Sequence, residues 1–205
     1  MTTPAKKDDR IYRYGDYITW PDHERWELID GVAHNMSPAP NNEHQRLVGE
    51  FFAEIRNFLR ETKSSCQVRV APFDVRLPEA GEEDTFIKNI VQPDIVVTCD
   101  PSKLDRAGLR GAPDLVVEVL SPSTAKKDQT KKKDLYERFG VKEYWLVHPT
   151  DSLVYVYLLE PAENLPDAGA RYGHPKILGY EDRLESRVLS GFGLDLSEVL
   201  AEVGA

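Results

Sequence analysis

Sulfur is scarce in this chain, with 2 cysteines and 2 methionines among 205 residues. Cys66 and Cys99 lie far apart and outside any Cys-x-x-Cys spacing, which argues against a disulfide scaffold and against a zinc knuckle. Long apolar runs are missing too: the candidates are strand-sized, well short of the roughly 20 residues that cross a bilayer. The first ten residues, MTTPAKKDDR, carry two lysines with no apolar segment behind them, unlike a secretory signal. No internal repeat and no low-complexity linker divides the chain. These absences lead to the expectation of a soluble, cytoplasmic protein with no membrane partner.

An excess of positive charge is also lacking. With 26 basic and 35 acidic residues the formal charge is -9, which disfavours nonspecific attraction to polyanions without forbidding a local basic site. The hydrophobic fraction of 40% is enough for a core and excludes global disorder. The length fits a single domain, expected over residues 11–205 behind a loose tail of residues 1–10. Positive charge is concentrated in KKDQTKKK, residues 126–133.

Local patterns predict the elements. Trp26 to Ile29 and Val32 to Met36 read as a hairpin closed by Asp30-Gly31. From Glu43 to about Lys63 the apolar residues Leu47, Val48, Phe51, Phe52, Ile55, Phe58 and Leu59 keep helical spacing, with Asn41 or Asn42 as cap. Gln67 to Leu77 reads as a strand broken by Pro72, and the acidic residues 81–85 as a hairpin tip. Ile95 to Thr98, Leu115 to Leu120 and Glu143 to Val147 are apolar on both faces, as central strands are. A helix over about Ala125 to Phe139, closed by Gly140, joins the last two as a crossover. The class is therefore α/β. Further strands are expected at Leu153 to Leu159, Ile177 to Tyr180 and Arg187 to Leu189, with a helix from Leu196 to Val203.

Glu118 is the anomaly within LVVEVL. A carboxylate on a strand covered on both faces costs several kcal/mol unless paired, protonated or bound to a cation. Asp94, after Pro93, opens the strand Ile95 to Thr98; if the two strands are neighbours, both acids reach a common edge. Paired carboxylates on strand ends suit a hard cation such as magnesium or manganese. In the following helix Lys132 lies one turn before Tyr136 and so shares the inward stripe, with Lys131, one turn before Leu135, as the alternative. Lys133 is expected to pair outward with Glu137. A bound cation that acidifies water and a lysine beside the developing charge together point to phosphodiester hydrolysis.

The strings WELIDG, MSPAP, QPDIVV, GAPDLVVEVLSPST and KKDQTKKKDLYERFGVKEYWLVHP, with His44 between the second and third, resemble the Uma-two family of restriction-endonuclease-like proteins. The resemblance runs from about Glu27 to the C-terminal region. It implies the PD-(D/E)XK nuclease fold, a central mixed β-sheet flanked by helices, here with an added N-terminal β-hairpin. It implies an endonuclease using magnesium, with manganese as substitute. Pro93-Asp94 matches the PD and Glu118 the (D/E), while Val119 would offer its carbonyl as a further metal ligand. Leu120 stands at the usual lysine position, and Lys132, in the pattern Asp128-x-x-x-Lys132-x-x-x-Tyr136, replaces it. Glu27 and His44 match the family pattern as further site residues, Glu27 as a third acid and His44 as a contact to phosphate or water; exposure of Glu27 and a structural role for His44 are the alternatives.

The expected substrate is nucleic acid, DNA before RNA. A chain this small reaches both strands of a duplex only as a homodimer. The alternatives are a noncatalytic binding or assembly protein that keeps the fold, and a hydrolase of small phosphorylated molecules.

Overall fold

The computed structural model describes residues 8–21, 23–36, 41–121, 128–161 and 169–201. Most of the predicted loose tail and the first three residues of the predicted helix, 125–127, lie outside these residues. The described end of that tail is tied in: the Arg10 amide and the Tyr12 hydroxyl donate to Asp8.

A short helix α1 (Tyr14–Tyr17) precedes the hairpin of β1 (Trp26–Ile29) and β2 (Val32–Asn35). Its turn places Asp30 at φ 50° and Gly31 at φ 75°, the doubly left-handed geometry that the twist of a two-residue hairpin requires. Helix α2 (Asn42–Glu61) follows, then β3 (Gln67–Val70), β4 (Val75–Arg76), β5 (Ile90–Val91) and β6 (Ile95–Thr98). The predicted break at Pro72 is real, and it sends β3 and β4 into different sheets.

After β7 (Leu104–Asp105), β8 (Gly108–Arg110) and β9 (Leu115–Val119), the chain re-enters at a π-helical turn, Asp128–Lys132, continuous with α3 (Lys133–Phe139). Gly140 ends α3 at φ 83°, the left-handed cap that glycine adopts without strain. Then come β10 (Glu143–His148), β11 (Leu153–Pro161), β12 (Ala170–Tyr172), β13 (Lys176–Leu178), β14 (Arg183–Glu185), β15 (Gly193–Asp195) and α4 (Leu196–Leu200).

The principal sheet runs β12-β11-β10-β9-β6-β3, with β13 added beside β11. It is mixed: β9 and β10 are parallel, whereas β6 is antiparallel to β9 and to β3. A second sheet runs β2-β1-β5-β4-β8-β7. On one face of the principal sheet Val117, Val119 and Trp145 pack with Leu47, Phe51 and Ile55 of α2. On the other, Val116, Leu120 and Leu146 pack with Leu135 and Tyr136 of α3. Each such fully buried aliphatic or aromatic side chain stabilises by about 1.5–3 kcal/mol.

Residues 81–85 lie midway along the connection between the antiparallel strands β4 and β5, as expected of a hairpin tip; there Asp84 begins a 3-10 turn and takes the buried guanidinium of Arg76, which also pairs with Asp105. Two local expectations are corrected. Arg187 to Leu189 is not a strand; β14 lies just before it, and its chain turns so that the Arg187 and Val188 amides donate to Glu143. Cys66 and Cys99, which their spacing kept apart, are disulfide-bonded. The antiparallel register explains this, since Gln67 faces Thr98 and the next positions outward are the two cysteines.

Candidate active site

The site forms where three strands and two helices end together. Ile95 of β6 pairs with Val117 of β9, so Asp94 lies across from Glu118, one step beyond. The Val119 amide donates to Asp94 Oδ2 at 2.8 Å, fixing that carboxylate at the end of β9. Asn41 caps α2 by accepting from the His44 amide at 2.8 Å. The cap puts His44 in the first turn, and its imidazole Nε2 lies 3.3 Å from Asp94 Oδ2.

Glu118 projects toward α3. Its Oε1 accepts from Lys132 Nζ at 2.6 Å and from the Tyr136 hydroxyl at 2.8 Å. Lys132 and Tyr136 are one turn apart at the start of α3, so both side chains come down on the same strand residue. The widened π-helical turn that ends at Lys132 is a feature often found at functional positions.

Glu27 enters from β1 of the second sheet. Its Oε1 lies 3.0 Å from Lys132 Nζ and accepts from the Gln92 amide at 3.0 Å. It is fully buried, Glu118 is 3% exposed and Lys132 is 2% exposed. Exposure of Glu27 is therefore ruled out. Two carboxylates removed from water are neutralised in part by one ammonium held between them, the condition under which buried acids are tolerable.

The five side chains predicted for the site fall into two neighbouring groups: Glu27 and Glu118 meet at the Lys132 ammonium, and His44 meets Asp94 at the end of the strand paired with that of Glu118. The Val119 amide joins the second group, through nitrogen, while its carbonyl has no described role. Lys133, expected to point outward toward Glu137, instead places Nζ 5.4 Å from the Tyr157 ring centroid. Glu137 accepts the Tyr172 amide. Asp128 has no described side chain.

Two contributors were not predicted for the site. Gln92 donates its amide to Glu27, and its side chain bonds the Tyr17 hydroxyl, Asp74 and Arg25. Burial raises the Asp74 and Tyr17 pKa values; the hub is a half-buried polar network that runs from the buried Gln92 out to the exposed Arg25. His34, buried on β2, is the cross-strand partner of Glu27. The only sequence signal for Gln92 is its place two residues before Asp94. His34 had none, because its importance depends on the hairpin register.

Among the described residues no group of three or more His, Cys, Asp or Glu side chains is arranged to hold a metal. Asp94 and Glu118 do present hard oxygen donors from neighbouring strands, the donor chemistry that magnesium takes while keeping several waters.

Among the described residues no helix is long and apolar enough to cross a membrane. Comparison with known proteins places the chain clearly. A crystal structure of a "putative nuclease belonging to DUF820" from Anabaena variabilis superposes with a TM-score of 0.69 at 17% identity, covering 92% of this chain and 97% of that one. An uncharacterised protein of Synechocystis sp. (strain ATCC 27184 / PCC 6803 / Kazusa) is 28% identical over 145 residues, 69% of this chain and 71% of the other. The structural likeness shows the restriction-endonuclease-like fold, and residues 14–197 match Uma2, described as "Putative restriction endonuclease": the chain belongs to the Uma2 family.

Proposed function

We propose that this protein is a magnesium-dependent endonuclease that hydrolyses phosphodiester bonds of nucleic acid, DNA in the first instance. The observation that carries the reading is the buried Lys132 ammonium between Glu27 and Glu118, beside Asp94 on the neighbouring strand. Membership of a family described as restriction endonucleases supports the same reaction class.

Asp94 and Glu118 would hold the magnesium ion, with manganese as substitute. When bound, such an ion supplies acidified water and neutralises a phosphate oxygen. Glu27 holds Lys132 from the side away from α3, so the ammonium has one fixed position. From there it orients a water and stabilises negative charge as it develops on the phosphoryl oxygens. Tyr136 fixes the rotamer of Glu118 by its hydroxyl. His44 stands next to Asp94, its Nε2 3.3 Å from that carboxylate, where it would meet a phosphate oxygen drawn to the same place. Leu120 leaves the usual lysine position apolar, and it is buried at 7% exposure; among the described residues the ammonium at the site comes from Lys132, at the start of α3. A homodimer would present two such sites to the two strands of a duplex.

The test is cleavage of single-stranded DNA, duplex DNA and RNA with magnesium and with manganese. Glu118→Gln is expected to abolish metal-dependent cleavage while the protein remains folded. Unchanged cleavage by this variant would remove Glu118 from the mechanism. A parent protein that cleaves none of the three, yet binds nucleic acid, would favour a noncatalytic assembly role. Cleavage of small phosphorylated molecules in preference to oligonucleotides would redirect the reading to a small-molecule hydrolase.

A further inference from the structure

The first turn of α2 carries His44 at the site, and its last turns border a groove of about 380 Å³ against β3. That groove is lined by Arg56, Arg60, Lys63 and Arg69, with Phe52 and Gln67 among its other walls and no acidic residue. In a chain of formal charge -9, an acid-free lining with four cations departs sharply from the average surface. All four are exposed, and none is in an ion pair with another described residue. Arg69 is held by its own neighbours, donating to the Val68 carbonyl and to Gln67 Oε1.

The charge separation extends along the whole helix. Gln45, Gly49, Phe52, Arg56 and Arg60 recur at spacings of three and four, so they form one stripe. The acids of α2, Glu43, Glu50, Glu54 and Glu61, recur on a second stripe, on the opposite flank of the buried face. A Cβ added at Gly49 would meet nothing within 4 Å, so the stripe is open midway. Attraction of cations to the C-terminal helix dipole explains Arg60 and Lys63. It does not explain Arg69 on a strand, Arg56 more than a turn earlier, or the exclusion of acids as far back as Gln45.

We propose that the α2–β3 groove binds the phosphodiester backbone of nucleic acid and that the neutral-to-basic stripe leads the strand from it to the site. The proposal rests on the nuclease reading for the direction of the track. From His44 to Arg56 and Arg60 the helix advances by about 18–24 Å at 1.5 Å per residue. Duplex nucleic acid rises about 3.4 Å per base pair, so a substrate engaged at the site reaches the groove roughly five to seven base pairs away. Half-buried Phe52 adds an aromatic surface on which a base of a frayed or single strand can stack.

The test separates this track from the chemistry. Binding of fluorescein-labelled 20-mers, single-stranded and duplex, is measured by anisotropy in EDTA over a range of salt. Arg56→Gln/Arg60→Gln should weaken binding at least 10-fold. It should also reduce the magnitude of the log K against log salt slope by about 1.4–1.8, because each phosphate neutralised by a side chain adds roughly 0.7–0.9 to it. Glu54→Gln/Glu61→Gln, on the opposite flank, should not weaken binding. With magnesium, the groove variant should raise KM for the 20-mer and leave hydrolysis of bis-p-nitrophenyl phosphate unchanged. Parent-like affinity and slope in a folded groove variant would overturn the track even if cleavage is robust. If the variant loses binding while the parent cleaves nothing, the groove stands and the nuclease reading falls.

Discussion

Lys132 shows how much depends on single atoms in this protein. Its ammonium serves two buried carboxylates, Glu27 and Glu118. Removing one partner of a buried ion pair leaves an uncompensated charge and costs about 3–5 kcal/mol. Lys132→Met is therefore expected to destabilise by that order in urea unfolding. Adding Glu118→Gln to it should recover part of the loss, because the neutral amide no longer needs a counter-ion. If the two losses simply add, the pair is not coupled. Tyr136→Phe removes one hydrogen bond to the Glu118 carboxylate and should cost about 1.5–3 kcal/mol, with the fold intact. Asp114 provides a pH-dependent case at the far end of β9. Burial raises its pKa, but the Cys99 amide and the Lys142 ammonium outweigh burial, and the carboxyl is held below the ordinary aspartate value. A lowered folded value means that its contribution is present above the unfolded value of about 3.9 and lost as pH falls through the folded one. The urea-midpoint gap between the parent and Asp114→Asn should therefore be full near neutral pH and shrink below about pH 4. A constant gap across that range would show that the ionised carboxylate is not what stabilises.

At the scale of elements, backbone geometry dictates residue choice where β8 pairs with β4 in the second sheet. Gly108 opens β8 at φ 126°, and a Cβ there would lie 2.2 Å from the Asp74 carbonyl oxygen. Asp74 is the residue whose carboxylate bonds Gln92, so a side chain added at Gly108 would press on the network behind Glu27. Gly108→Ala combines a left-handed φ with a backbone clash and should cost more than about 1–3 kcal/mol, read as a lowered Tm. Hairpin, helix and central strands were legible because their signals are local: alternation, helical spacing, a cap at Asn41, a glycine at the end of α3. Asp94 and Glu118 were legible for a related reason, since two acids on apolar strands need a common explanation once the strands pair. Gln92 was not, because its amide meets Glu27 across 65 residues, and no periodicity encodes that meeting. The outward placement of Lys133 failed similarly, since the rings of Tyr157 and Tyr172 that receive it arrive with β11 and β12.

For the molecule as a whole, the Cys66–Cys99 bond ties the edge strand β3 to β6, the strand that Asp94 opens. Spacing alone could not reveal it, because the cysteines are 33 residues apart and meet only through the antiparallel register. Closing a loop of this length restricts the unfolded chain, and the chain-entropy account assigns it about 3–4 kcal/mol. The folded side has less to lose on reduction. Gln67 to Val70 remain paired with Ile95 to Thr98, and Val68 remains in the core cluster with Val97. The Asp94 end is anchored separately by the Val119 amide. Reduction, or Cys66→Ser/Cys99→Ser, should therefore lower Tm by on the order of 10 °C for a chain of this size. Metal-dependent cleavage at 25 °C should be preserved, since the site's contacts lie at the other end of β6. A Tm insensitive to reductant would show that the bond contributes no net stability. Loss of cleavage in a folded double variant would show that the crosslink, and not strand pairing alone, positions Asp94.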